Sequence, residues 1–121
     1  MPTTVYVVAA PPTDRRWIEA ALARTARIDV VFLDDKSSLL ANPPSGRSCV
    51  VAMADAGEVA TLALVRDLRS RGSMLAVIVL GSHTAFRMAV EIARLPATDF
   101  LERPVSAHQL RAAVLRACAD T

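Results

Sequence analysis

Runs of apolar residues recur along the chain at regular intervals, with helical patterns between them. Thr4 to Ala10 (TVYVVAA) is uninterrupted and rich in β-branched residues, which predicts a buried strand. Pro11 and Pro12 break it. Thr13 or Asp14 can then cap a helix running to about Arg27, with Ile18, Leu22 and Ala26 on one face. Ile28 to Leu33 (IDVVFL) alternates in part and predicts a second strand, followed by Asp34, Asp35 and a short helix around Ser37 to Ala41. Asn42 to Arg47 (NPPSGR) has the chemistry of a loop. Cys49 to Met53 predicts a third strand, and Glu58 to Arg71 a third helix with Leu62, Val65 and Leu68 facing inward. Met74 to Leu80 is the most hydrophobic run, expected to be a strand buried on both faces and ended by Gly81. A helix from about Thr84 to Leu95 is stopped by Pro96, and Thr98 to Leu101 forms a short fifth strand. Ser106 and Gln109 have the spacing of a capping box for a last helix reaching about Cys118.

Strands that alternate with helices five times over predict an α/β fold, with a parallel sheet covered by helices on both faces. Right-handed crossovers leave few topologies, and the flavodoxin-like order 2-1-3-4-5 leads among them. With 121 residues and no internal linker or repeat, residues 1–121 are read as a single domain.

Composition sharpens this picture at a few points. Hydrophobic residues reach 53% while aromatics are only 4%, so the core is built from Val, Leu, Ile and Ala. The longest apolar run, Met74 to Leu80, is far short of the roughly 20 residues of a membrane span, and the N-terminus has no secretory pattern. Cys49 and Cys118 do not make a disulfide framework and are read as small buried hydrophobes, consistent with a reducing cytoplasm. A net charge of +2, with Arg residues scattered along helices, gives no track for nucleic acid.

In such a fold the functional crevice lies at the carboxyl ends of strands one, three and four. There the sequence becomes specific. Met88 to Leu110 (MAVEIARLPATDFLERPVSAHQL) closely resembles the receiver domains of response regulators, most of all those whose output is a LuxR-type helix-turn-helix. Phe100 to Pro104 carries the family's aromatic-hydrophobic-x-basic-Pro element, in which a Lys-Pro bond is commonly cis. Val5 to Arg16 matches the first strand and helix start in hydrophobic pattern, and Met53 through Leu68 matches without a gap. The likeness covers essentially the whole chain and is strongest in its last third.

The departures from that family are more informative than the matches. Where the resemblance implies an acidic pair for Mg²⁺, the chain has Ala9 and Ala10; where it implies a phospho-acceptor Asp, it has Met53. Gly81 stands in place of the Ser or Thr, and Arg103 in place of the Lys, which keeps the charge but changes its geometry. The switch aromatic is retained as Phe100. Alanine supplies no oxygen ligand, and a thioether is neither a nucleophile nor an acyl-phosphate precursor. The pocket is therefore expected to be silent, with no cofactor, no metal and no enzymatic activity.

The other polar residues near this crevice have simpler readings. Asp55 is expected to be a solvated loop carboxylate or a helix cap, the alternative being a displaced phospho-acceptor served by Asp34 or Asp35. Asp34 and Asp35 are otherwise caps for the second helix, Asp99 is structural, and His83 is a surface residue. Arg103 is left with three options: a bulk anion, a pair with Asp55, or an outward pose. Trp17 is either partly buried at a helix edge or an exposed anchor for a partner. On the fourth helix, Met88, Ile92 and Leu95 form one apolar stripe, apart from Phe86, Ala89, Val90 and Ala93. The first stripe is assigned to an interaction surface that includes Arg111, because receivers commonly associate through the fourth helix, fifth strand and fifth helix. The function expected is a phosphorylation-independent signalling module of the cytoplasm, homodimeric or bound to a signalling partner, with no direct contact to membrane or nucleic acid. A small-ligand sensor built on the vacated pocket is the further alternative. Receivers usually continue into a linker and an output domain, so a stand-alone regulator and part of a longer protein both remain open.

Overall fold

A computed structural model of the protein describes residues 3–23, 27–44, 46–54, 58–82 and 86–118. The strands are β1 (Thr3–Val8), β2 (Ile28–Leu33), β3 (Ser48–Met53), β4 (Ala76–Gly81) and β5 (Thr98–Glu102). The helices are α1 (Pro12–Ala23), α2 (Ser37–Ala41), α3 (Glu58–Ser70), α4 (Phe86–Ala93) and α5 (Ala107–Cys118). All strand pairs are parallel, in the order β2-β1-β3-β4-β5.

The two-residue period of the strands divides the core into two layers. Val5, Val7, Cys49, Val51, Met53, Ile78 and Leu80 point to the α1 and α5 side, where Ile18, Leu22, Leu110 and Val114 cover them. Val50, Ala52, Val77 and Val79 point to the other side, against Leu39, Leu64, Val65, Leu68, Met88 and Ile92. At the edge, β2 pairs only with β1 and shows Asp29 and Val31 to solvent.

Most element boundaries shift by one or two residues from those the sequence predicts. Helix α1 starts at Pro12 rather than after a Thr13 or Asp14 cap, which suits a residue with fixed φ and no N–H to lose. Arg27 lies in a turn with φ 70, and Ala26 lies outside the described residues. Met74 is 60% exposed ahead of β4, and Leu64 takes an inward place where Leu62 is only half-buried. Helix α3 ends in a Schellman arrangement: Gly72, at φ +81, donates to Arg69 O while Ser73 donates to Leu68 O. Arg69 then fastens α3 to the α4–β5 connection by donating to the carbonyls of Ser73, Pro96 and Ala97. The Ser106 and Gln109 capping box is formed in both directions, at 2.9 and 3.1 Å.

Helix α4 corrects the sequence reading. Met88 and Ile92, assigned to an outward stripe, are 1% and 0% exposed and fill the layer above Val77 and Val79. Val90 and Ala93 face out instead, while the side chain of Phe86 lies outside the described residues. Both stripes are apolar, so periodicity alone cannot choose between them; the longer side chains of Met88 and Ile92 take the side with space to fill. Leu95 is half-buried against the same layer. Arg111, placed on that surface too, instead reaches across to α1 and donates to Ala21 O. No described helix is long and apolar enough to cross a membrane.

Candidate functional site

The carboxyl ends of β1, β3, β4 and β5 converge as the parallel order requires. Val8 is paired with Ala52, Met53 with Leu80, and Gly81 with Glu102. Ala9 follows β1 in a left-handed conformation (φ 55) and is exposed, while Ala10 and Met53 are buried. The predicted pocket residues are thus brought together, and their side chains are a methyl, a methyl and a thioether.

Arg103 has a partner that the sequence reading did not consider. Its Nη1 and Nη2 donate to Oδ1 and Oδ2 of Asp14, each at 3.1 Å, in a two-pronged pair. Nη2 also lies 3.4 Å from Met53 Sδ. The side chains are only 26% and 14% exposed, so the pair is largely shielded from water. Trp17 donates its indole N–H to Asp14 Oδ1 at 2.8 Å, which places this residue as a half-buried support and not a free anchor. Burial works to raise the Asp14 carboxyl, but the hydrogen bonds from Arg103 and Trp17 outweigh it and hold it below its ordinary value. Arg103 follows β5, its N–H donates to Gly81 O, and its bond to Pro104 is cis, as the family element implies. The proximity of Asp14 had only a weak signal, its position in the first turn after β1, where an acid is normally read as a cap.

Gly81 provides space. A Cβ placed there would lie 2.8 Å from Phe100 Cζ and 3.0 Å from Ala54 Cβ, so the Phe100 ring sits where a side chain at residue 81 would stand. The backbone of Gly81 is ordinary strand and does not itself call for glycine.

Asp34 and Asp35, proposed as substitute metal ligands, each have a partner of their own. Asp34 accepts from Arg15 at 3.1 Å, and Asp35 accepts from the N–H of Ser37 at the start of α2. Asp99 accepts from the N–H of Phe100 and from Arg116, a structural role as expected. Asp55 and His83 lie outside the described residues. Among the described residues no group of three His, Cys, Asp or Glu could hold a metal ion. The Mg²⁺ implied by the resemblance therefore does not fit the donors that Ala9, Ala10 and Met53 offer.

Beside Met53, a cavity of about 250 Å³ is lined by Val8, Ala9, Ala52, Met53, Ala60 and Leu64, with Asp34, Asp35, Lys36 and Thr61 also bordering it. Thr61 donates to Met53 O, and Lys36 pairs with Asp67.

No family model matches the chain. Over 74 residues it is 38% identical to the transcriptional regulatory protein FixJ of Azorhizobium caulinodans, covering 61% of this chain and 35% of that protein. Over 50 residues it is 50% identical to the tetrathionate response regulatory protein TtrR of Salmonella typhimurium, covering 41% of this chain and 24% of that protein. The aligned segments thus span about a third or less of the curated relatives' length. In structure it is similar to FixJ-N, with TM-score 0.85, 23% identity and coverage of 100% and 97% of the two chains. It also matches full-length FixJ from B. japonicum, with TM-score 0.83 and 24% identity over 98% of this chain and 58% of that one. The beryllofluoride-activated NtrC receiver domain matches at TM-score 0.71 and 26% identity, over 99% and 97% of the two chains. The sequence likenesses and the 2-1-3-4-5 sheet agree: in fold and in sequence the chain is similar to the receiver domains of response regulators.

Proposed function

We propose that this receiver domain acts as a phosphorylation-independent protein-interaction module in signal transduction, regulating transcription through a partner or an attached output domain. The observation that carries the reading is the Arg103–Asp14 pair. In a working receiver the basic residue of this element is free to meet a phosphoryl oxygen. Here both of its terminal nitrogens are held by a carboxylate of α1, beside a thioether where the acceptor would stand. With Phe100 seated over Gly81 and no hydroxyl to draw it elsewhere, the switch element rests in one state.

The module contacts a second copy or a signalling partner through the face of α4, β5 and α5. With Met88 and Ile92 in the core, that face offers Val90, Arg87 and Arg94 from α4 and the Arg116–Asp99 pair that joins α5 to β5. Sedimentation of the protein with and without Mg²⁺ and a small phosphodonor tests the reading. The same association state in both is expected, and a shift on adding the phosphodonor would count against it. The cavity beside Met53 favours a second reading, capture of a small apolar ligand, because its lining is mainly Val, Ala, Met and Leu.

A further inference from the structure

We propose that Cys49 and Cys118 are a redox modification site, closing a reversible intramolecular disulfide between β3 and the last turn of α5 when the protein meets a hydroperoxide. The two residues are 69 positions apart in sequence (118 minus 49), yet both are buried thiols of one cluster, outside any disulfide and hydrogen-bonded to each other. Cys49 sits in the central strand, between Val5 of β1 and Ala76 of β4, and is 0% exposed. Cys118 closes α5 and is 3% exposed. A pair so enclosed has each other as partner before any second chain, which favours an internal bond over a cross-linked dimer.

The surroundings also divide the roles. The hydrogen bond from Cys49 lowers the Cys118 thiol against the effect of burial, with Arg47 adding its charge, whereas the same contact and burial raise Cys49. Position assigns the roles: Cys118, in the last turn of α5, is the sulfur an oxidant reaches first and attacks it, and Cys49, enclosed in the central strand, is the resolving one. Access comes at the end of α5, where a terminal turn opens most readily. The Cys118 thiolate attacks one oxygen of the hydroperoxide, the O–O bond breaks, and the leaving oxygen takes up a proton. The resulting sulfenic acid is attacked by the sulfur of Cys49; the S–S bond forms, the S–O bond breaks, and the Cys49 proton leaves with that oxygen as water. Two thiols lose two protons and two electrons to the peroxide, and an added dithiol reverses the bond.

The test uses the full chain treated with hydrogen peroxide, then denatured and alkylated with iodoacetamide. The parent should pass from two alkylated cysteines to none as a monomer lighter by two hydrogens, with a Cys49–Cys118 cross-linked peptide that dithiothreitol removes. Cys49→Ala and Cys118→Ala should each lose the cross-link. Cysteines that stay alkylatable in the parent, while a free cysteine peptide in the same tube is oxidised, would overturn the proposal. So would a disulfide-linked dimer, or a Cys118 sulfinic acid without a cross-link. The parent's peptide map decides the matter even if a variant fails to fold.

Discussion

Asp14 and Arg103 stand 89 positions apart and meet in a two-pronged ion pair beside Met53. Helix α1 supplies the carboxylate and the end of β5 supplies the guanidinium, so the pair ties the two elements together across the mouth of the crevice.

Removing that carboxylate should be costly and pH-dependent. Asp14→Ala removes the two-pronged carboxylate contact from a largely buried guanidinium, for a loss of about 2 kcal/mol in denaturant unfolding at neutral pH. The Asp14 carboxyl is lowered in the folded protein, so its stabilisation is fully present above the ordinary carboxylate range and is lost as pH falls through the folded value. The gap between parent and Asp14→Asn should therefore narrow below about pH 4. A gap that widens in acid would show that the hydrogen bonds are not made to the ionised form.

Helix α4 gives a contrast between neighbouring positions. Ile92→Glu puts a carboxylate into a fully buried site and should cost about 4 kcal/mol or prevent folding. Val90→Glu, on the exposed side, should stay within about 0.5 kcal/mol of the parent and weaken any association through this face. Thermal melts with sedimentation separate the two effects. A stable Ile92→Glu protein would mean that the outward stripe has been misassigned.

Gly81→Thr should displace Phe100, because the new Cβ and the ring compete for one place. Overpacking of this kind costs about 1–3 kcal/mol, and the ring resonances of Phe100 should shift in the NMR spectrum. Unchanged ring shifts would show that the ring does not depend on the vacancy at Gly81.

What could be read in the sequence was local. Buried parallel strands announce themselves as apolar runs, so β1, β3 and β4 were legible, and the Ser106–Gln109 box was legible from a three-residue spacing. The missing oxygens at Ala9, Ala10 and Met53 needed only residue identity and alignment of strand ends. The Arg103–Asp14 pair was not legible because its partners are joined only by the tertiary fold, and an acid in the first turn of a helix already has a sufficient local explanation. The inward stripe of α4 was missed for a related reason. Two apolar faces on one short helix can be ranked only by the volume that the sheet below leaves open.

Restoring the acids should restore the metal. Replacing Ala9, Ala10 and Met53 together by Asp gathers carboxylates at the ends of β1 and β3, and the Met53→Asp change brings another carboxylate to Arg103. In a chelator the triple variant should melt below the parent through mutual repulsion, and millimolar Mg²⁺ should recover part of the loss. The parent itself should show no Mg²⁺-dependent rise in Tm, with Ca²⁺ as the charge control. A triple variant as stable as the parent in the chelator would mean that these positions do not converge.

The most direct measurement is the intact mass of the parent after incubation with acetyl phosphate and Mg²⁺. A crevice floored by Ala10 and Met53, with Arg103 held by Asp14, should leave the mass unchanged. An adduct of about 80 Da, one phosphoryl group, that disappears in Asp55→Asn would show a working displaced acceptor and contradict a phosphorylation-independent domain.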